Sequence, residues 1–252
     1  MNKGLIIGII VILAIVGIGI WSFLTYGMDG QTGLTGINQN TNQKGNVAKG
    51  TLYFSFKDAA VNMANVSAVT MTVDKAYVHS QSQGWVTLSS NPQTFRLLEL
   101  KESGKAALMV KADVKPDTYD QMWFHISNVM VTETGKTAKQ AMVPGSDFKM
   151  QGVVKVAADG ASIVTLDILA DQSLSKTAKG EFIFAPVVNF EGRSNAVVNM
   201  GIDNMITIVS GTVDSSTSAG MDINGEVKAN FKVDLKANLQ IDNGLIIIKT
   251  GL

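Results

Sequence analysis

From Gly50 onward, apolar residues recur at every second position, and this period narrows the possible folds more than any other feature of the chain. Successive side chains of a strand point to opposite faces, so such alternation marks half-buried strands rather than helices. Thr51-Leu52-Tyr53-Phe54-Ser55-Phe56 alternates, as does Val69-Thr70-Met71-Thr72-Val73. Further strands are expected over Gly84–Leu88, Phe95–Leu98, Gln121–Val131, Phe148–Val156, Ser162–Ile168 and Glu181–Val188. Turn-forming clusters separate them, among them Ser80-Gln81-Ser82-Gln83-Gly84, Ser89-Ser90-Asn91-Pro92, Lys115-Pro116-Asp117 and Ala158-Asp159-Gly160. Only Ala59–Ala64 and Glu99–Ala107 suggest a turn or two of helix. Short strands without intervening long helices predict an all-β chain built as an antiparallel sandwich.

The last part of the chain has the most regular pattern. Val227, Ala229, Phe231, Val233, Leu235, Ala237, Leu239 and Ile241 are apolar, and the residues between them are polar. This predicts one long half-buried strand over Gly225–Ile241, about 50 Å if straight. Asp242-Asn243-Gly244 is a hairpin signal, with Leu245–Lys249 returning as its partner. Met205–Val213 supplies another strand upstream. The expected division is a β-sandwich domain over 50–192 and a β-rich C-terminal extension over 193–252. That extension either packs on its own sandwich or offers Leu245-Ile246-Ile247-Ile248 to a neighbour's sheet edge.

Ahead of the β-region, Gly4 to Leu24 contains no charged residue. As a helix it covers roughly 30 Å, the thickness of a hydrocarbon core. Trp21 and Tyr26 stand at its outer end, where amphipathic rings favour the headgroup layer. Lys3 and the α-amino group precede it, and the next lysine is Lys44. The positive-inside bias therefore places the N-terminus in the cytoplasm and the remainder outside a single-pass anchor, residues 1–26. Two other readings stand beside the anchor. A cleaved secretory signal is disfavoured by the length of the apolar run and by Trp21-Ser22-Phe23, a poor cleavage context. Lys3-Gly4 before a continuous apolar run resembles the processing site of archaeal type IV pilins, although Ile9 stands where bacterial pilins carry an acid. Residues 27–49, rich in Gly, Asn, Gln and Thr, read as a flexible tether spanning on the order of 25 Å.

Several motifs of the β-region together resemble a known family. They are Gly50–Ala59 (GTLYFSFKDA), Val66–His79 (VSAVTMTVDKAYVH), Gly84–Leu88 and Phe95–Leu100, followed by Lys115–Tyr119, Val164–Asp167 and Phe184–Val187. In order and spacing these seven resemble the family called domain of unknown function 4382, over roughly residues 50–190. The resemblance implies a β-sandwich on exported bacterial or archaeal proteins, often lipid-anchored, and it implies no activity. This chain departs from it in lacking the lipoprotein cysteine.

Composition removes several chemistries. Lysine plus arginine and aspartate plus glutamate balance at 21 each, so no global field attracts nucleic acid. There is no cysteine, hence no disulfide, no thiolate catalysis and no thiolate zinc site. No G-x-S-x-G elbow occurs, and Gly135-Lys136-Thr137 lacks the upstream glycine of a phosphate-binding loop, with Met130 in its place. His79 and His125 lie on separate expected strands and would hold a metal only if those strands were neighbours. Asp58, Asp159, Asp167 and Asp171 are loop or strand-end carboxylates that could supply oxygens to calcium, without a D-x-D-x-D-G loop to support it. Trp85 and Trp123 suit either sugar stacking or core packing, and Asn65-Val66-Ser67 is a lone glycosylation sequon.

These observations favour a membrane-anchored, extracytoplasmic, non-catalytic binding or structural module of the cell envelope. Its expected partners are the lipid bilayer through residues 4–24 and an envelope glycan or protein, with no nucleic acid and no cofactor except calcium as an alternative. A filament subunit is the second reading, assembled through the N-terminal helix or by strand complementation. An enzyme, such as a glycan hydrolase with paired carboxylates, is the third.

Overall fold

A computed structural model describes residues 48–58, 63–234 and 238–248. All of them fall in one unit, Gly45–Leu252. The expected anchor, most of the tether and the first four positions of the Ala59–Ala64 helix candidate lie outside the described residues. Among the described residues, no helix is long and apolar enough to cross a membrane.

The chain is all-β, as its alternation predicts. In order it forms β1 (Gly50–Lys57), β2 (Val66–Ser80), β3 (Gly84–Ser89), β4 (Gln93–Arg96), α1 (Leu97–Ser103), β5 (Ala106–Val114), β6 (Asp117–Glu133), β7 (Lys139–Met142), β8 (Asp147–Val156) and β9 (Ala161–Ile168). Then follow α2 (Ala170–Ser173), β10 (Leu174–Lys176), β11 (Phe182–Phe184), β12 (Val187–Met200), β13 (Met205–Met221), β14 (Val227–Ala229), β15 (Leu239–Asp242) and β16 (Leu245–Ile248).

Two sheets enclose the main core. The first runs β12-β9-β1-β5-β13-β14, and the second β10-β11-β7-β6-β2-β3. In the second sheet, β4 shares the free edge of β2 with β3, while β8 shares the free edge of β6 with β7. Most pairs are antiparallel, but β1–β9 and β11–β7 are parallel, which makes both sheets mixed. Leu52, Phe54 and Phe56 of β1 face Phe124, Phe148 and Met71 of the second sheet across the core. The Phe56 ring meets Phe124 edge-on at 5.3 Å between centroids, an arrangement worth about 0.5–1.5 kcal/mol beyond the area it buries.

The first sheet also closes on itself. β12 and β13 form a long hairpin; Val188–Arg193 of β12 pair with β9, while Met205 and Ile206 of β13 pair with Ala107 and Ala106 of β5. Register shifts between Gly192 and Val198 bend the ribbon so that its two ends reach the two edges. Inside this five-stranded ring lies a second small core of Tyr53, Ala106, Leu108, Ile163, Ala196 and Ile206. β1 is therefore buried on both faces. The boundary placed at residue 192 falls inside β12, a strand that belongs to both flanks of the ring.

The two sheets are joined along one edge by side chains. Val153 of β8 donates its N–H to Ser215 Oγ at 2.7 Å, and the same hydroxyl donates to the Val153 carbonyl at 3.1 Å. Thr217 Oγ1 donates to the Gln151 carbonyl at 2.7 Å, and the Lys155 N–H donates to Asp214 at 2.9 Å. These side chains occupy backbone groups that an edge strand would otherwise leave open to a further strand. The close approach needs Gly192, where a Cβ would lie 2.2 Å from the Val153 carbonyl oxygen.

Three expectations are corrected. The Gly225–Ile241 strand is broken: among the described residues of that span, only Val227–Ala229 and Leu239–Asp242 are strand. β14 finds partners only at Ala219–Met221, and Asn230 then turns the chain with φ at 52°. Phe231 crosses over Gly220 instead of continuing beside β13. The alternation persists because Phe231, Val233, Leu239 and Ile241 pack with Ile183, Ala185 and Ile246 in a third small core. The helix placed over Glu99–Ala107 begins instead at Leu97, where Leu97 and Leu100 share its buried face, and Ala106 already belongs to β5. The Glu181–Val188 strand divides at Ala185-Pro186, since proline has no N–H for the ladder.

Candidate functional site

The outer face of the second sheet gathers the residues that carry recognition chemistry. Strand order β3-β2-β6-β8 places Trp85, then Tyr77 and His79, then Gln121, Trp123 and His125, then Asp147, Lys149 and Gln151 side by side. Each set is spaced two residues apart, so every member faces the same way, while Val78, Met122, Phe124, Phe148 and Met150 between them point into the core.

The aromatic rings form a cluster. Tyr77 and Trp123 are register partners and stack at 4.4 Å between centroids with 12° between planes. Trp85 meets Trp123 edge-on at 6.0 Å and His79 at 5.1 Å. Lys149 holds its ammonium 4.8 Å from the Trp85 centroid. Trp85 nevertheless stays 39% exposed, the most open ring of the group and one of few large apolar side chains so exposed on this sheet.

Two carboxylates orient the histidines. Asp120 lies 2.7 Å from His79 Nδ1, and Asp147 lies 2.7 Å from His125 Nδ1. Asp147 also accepts the Trp123 indole N–H at 3.2 Å, fixing the ring's orientation. The Tyr77–Trp123 pair stands between the two histidines, which sit four residues apart along the register, about 14 Å. The strands are neighbours, yet the histidines do not converge on one ion. Among the described residues, no group of three or more His, Asp or Glu side chains could hold a metal ion.

The turn that carries Trp85 is anchored from below. Asp117 accepts from the Ser82 hydroxyl and from Gln83 Nε2 at 2.8 Å, joining the β2–β3 turn to the start of β6. Those two bonds hold its carboxyl well below the usual carboxylate range, outweighing burial, with smaller help from Ser80 and the Thr118 N–H. Beside it, the fully buried Tyr119 donates to the Lys115 carbonyl at 2.9 Å, four residues back. This is the geometry of a tyrosine corner in sandwich proteins. Burial pushes the Tyr119 phenol up, opposed by the Gln83 amide.

Next to the aromatic face lies a groove of about 520 Å³ between the β8 edge and β13–β14. Gln121, Lys149 and Gln151 form one wall, Ser216, Thr217, Ser218 and Asn230 the other, and Val227 and Ala229 add an apolar part to the lining. Its size lies within the range of roughly 300–1,000 Å³ typical of small-ligand clefts.

Of the four aspartates considered for calcium, Asp58, Asp167 and Asp171 fall at the far end of β1 without forming a metal-holding group among the described residues, and Asp159 stands apart from them. Asp159 lies in the turn beside Lys49, at the entry of β1, whereas Asp167 pairs with Lys57 at its far end. Eight residues of strand separate them, about 26 Å. Asp58 accepts the Ala170 N–H at 3.4 Å, and Asp171 lies in the first turn of α2. Asn65 of the sequon is an exposed turn residue with φ at 65°.

Sequence reasoning singled out both histidines, Trp85 and Trp123 but missed Tyr77, Asp120, Gln121, Asp147 and Lys149. The signal was present in the two-residue spacing of Tyr77 and His79 and of Gln121, Trp123 and His125. What was missing was the register that sets one row against the other.

No curated protein and no solved structure matches the chain. The family model does match, over residues 49–186, somewhat more than half its length and the same stretch that carries the seven motifs. The chain therefore belongs to the family described as Domain of unknown function (DUF4382).

Proposed function

We propose that this chain is a non-catalytic binding module of the cell envelope, anchored through Gly4–Leu24 with its β-domain outside, and that it binds glycan on the outer face of the second sheet. The observation that carries this reading is the outward-facing cluster of Tyr77, Trp85 and Trp123, with Trp85 39% exposed. An apolar ring face beside fixed amide, carboxylate and ammonium groups suits a sugar, which offers C–H faces to stack and hydroxyls to hydrogen-bond. Asp120 and Asp147 are each engaged by a histidine instead of facing one another across a cleft, which favours recognition over acid–base hydrolysis. Co-sedimentation of the full-length chain, in detergent, with insoluble polysaccharides tests the reading. Binding that disappears in Trp85→Ala supports it; no binding to any polysaccharide, or binding indifferent to Trp85, sinks it.

The filament reading draws on the terminal hairpin. Among the described residues β15 and β16 pair only with each other, and Leu245 and Ile248 are 67% and 52% exposed. Electron microscopy of the chain purified from its own membranes would reveal filaments, and mass spectrometry would find Leu5 at the mature N-terminus in the pilin version. An intact monomer contradicts both versions.

A further inference from the structure

We infer that the groove beside the aromatic face is a second subsite of the same site, so that the ligand is an extended neutral glycan lying across the strands and not a single terminal sugar. This rests on the glycan reading above and adds the length, charge and direction of the bound chain.

The two regions are physically continuous. Lys149 lies over the Trp85 ring and also lines the groove, and Gln121, the next outward residue to Trp123 on β6, lines it too. From β3 to β8 the face covers three inter-strand spacings, about 14 Å, before the groove begins. A ring stacked on Trp85 therefore leaves the groove to later units of the same chain.

The chemistry of the groove selects among polymers. Its polar side chains Gln121, Gln151, Ser216, Ser218 and Asn230 carry amides and hydroxyls, which both donate and accept, and Val227 and Ala229 add apolar surface for the C–H faces of a sugar ring. Sugar hydroxyls have the same dual character. Lys149 is the one charged side chain of the lining, too little to hold a polyanion, whose binding scales with the number of cations that meet it. An extended peptide adding to the β8 edge is opposed by Thr217, Ser215 and Asp214, whose side chains already occupy the outward backbone groups of Gln151, Val153 and Lys155.

The test is calorimetric titration of the full-length chain with cello-, laminari- and chito-oligosaccharides, each from the disaccharide to the hexasaccharide. In one series the affinity should rise roughly tenfold or more with length. Ser216→Trp fills the groove from an exposed position, and Gln151→Ala removes a polar wall while keeping its backbone bond to Thr217. Ser216→Trp should bring the hexasaccharide down to the disaccharide's affinity and leave the disaccharide unchanged, and Gln151→Ala should weaken the hexasaccharide several-fold more than the disaccharide. A flat length series, or a hexasaccharide indifferent to both variants, overturns the groove subsite. If Trp85→Ala still abolishes binding in that case, the aromatic-face reading survives alone. If no neutral oligosaccharide binds, both readings fail together, and a peptide library that binds instead would replace them.

Discussion

Lys149 of β8 reaches over the indole of Trp85 on β3, two strands lying between them, with 4.8 Å from its ammonium to the ring centroid. The contact ties the edge of the second sheet to the turn at its opposite side. Exposed cation–π pairs contribute about 0.5–1 kcal/mol, so Lys149→Met should lower stability by no more than that. Its larger effect should be optical: Trp85 loses a neighbouring charge, and the emission spectrum of the chain should shift while urea denaturation barely changes.

The turn that presents Trp85 should weaken in acid. Asp117 has a folded-state pKa well below its unfolded value, so its stabilising contribution is complete above about pH 4 and fades as pH falls through the folded value. Asp117→Asn should therefore melt below the wild-type chain at neutral pH. The two melting curves should converge as pH drops below about 4. A gap that stays constant with pH would contradict the assignment.

At the joined edge, Ser215 serves both the N–H and the carbonyl of Val153. Ser215→Ala leaves both without that partner, and unsatisfied groups of this kind cost about 1–3 kcal/mol. Denaturant titration should show that loss. The freed β8 edge should also promote self-association at high concentration, visible by light scattering.

Gly192 is expected to be the least tolerant position of the crossing between β8 and β12. A Cβ there would meet the Val153 carbonyl oxygen at 2.2 Å and the Phe190 ring at 3.0 Å. Gly192→Ala should cost more than the typical core overpacking penalty of about 1–3 kcal/mol, measured by thermal or chemical unfolding.

The period-two pattern was enough to read most of the strands, because each strand of the sandwich hides one face. It was misleading over Val227–Ile241, where Val227 packs on the main core, Phe231, Val233, Leu239 and Ile241 pack on the third, and Phe231–Asp234 between them have no ladder partner. Periodicity reports which side of the chain is buried, not whether a ladder partner exists. For the site, residue types pointed to Trp85, Trp123, His79 and His125, and the structure set all four on one face. Their grouping was hidden because it depends on the pairing of Tyr77 with Trp123 and of Lys149 with Trp123, contacts between residues 46 and 26 positions apart. Ring closure was equally hidden, since nothing local in Met205-Ile206 names Ala106 and Ala107 as partners.

That closure has a consequence for how the molecule comes into being. The family match stops at residue 186, with β9 and β5 each lacking the neighbour that β12 and β13 later provide. As the chain emerges from its N-terminus, both flanks of the first sheet stay bare until one late hairpin arrives to cover the two at once. Non-local pairings of this kind form slowly and leave strand edges open to other chains in the interval. The segment shared with the family is thus the longest stretch of the fold but not its last step, and a nascent chain halted at residue 186 would present both of those strand edges uncovered.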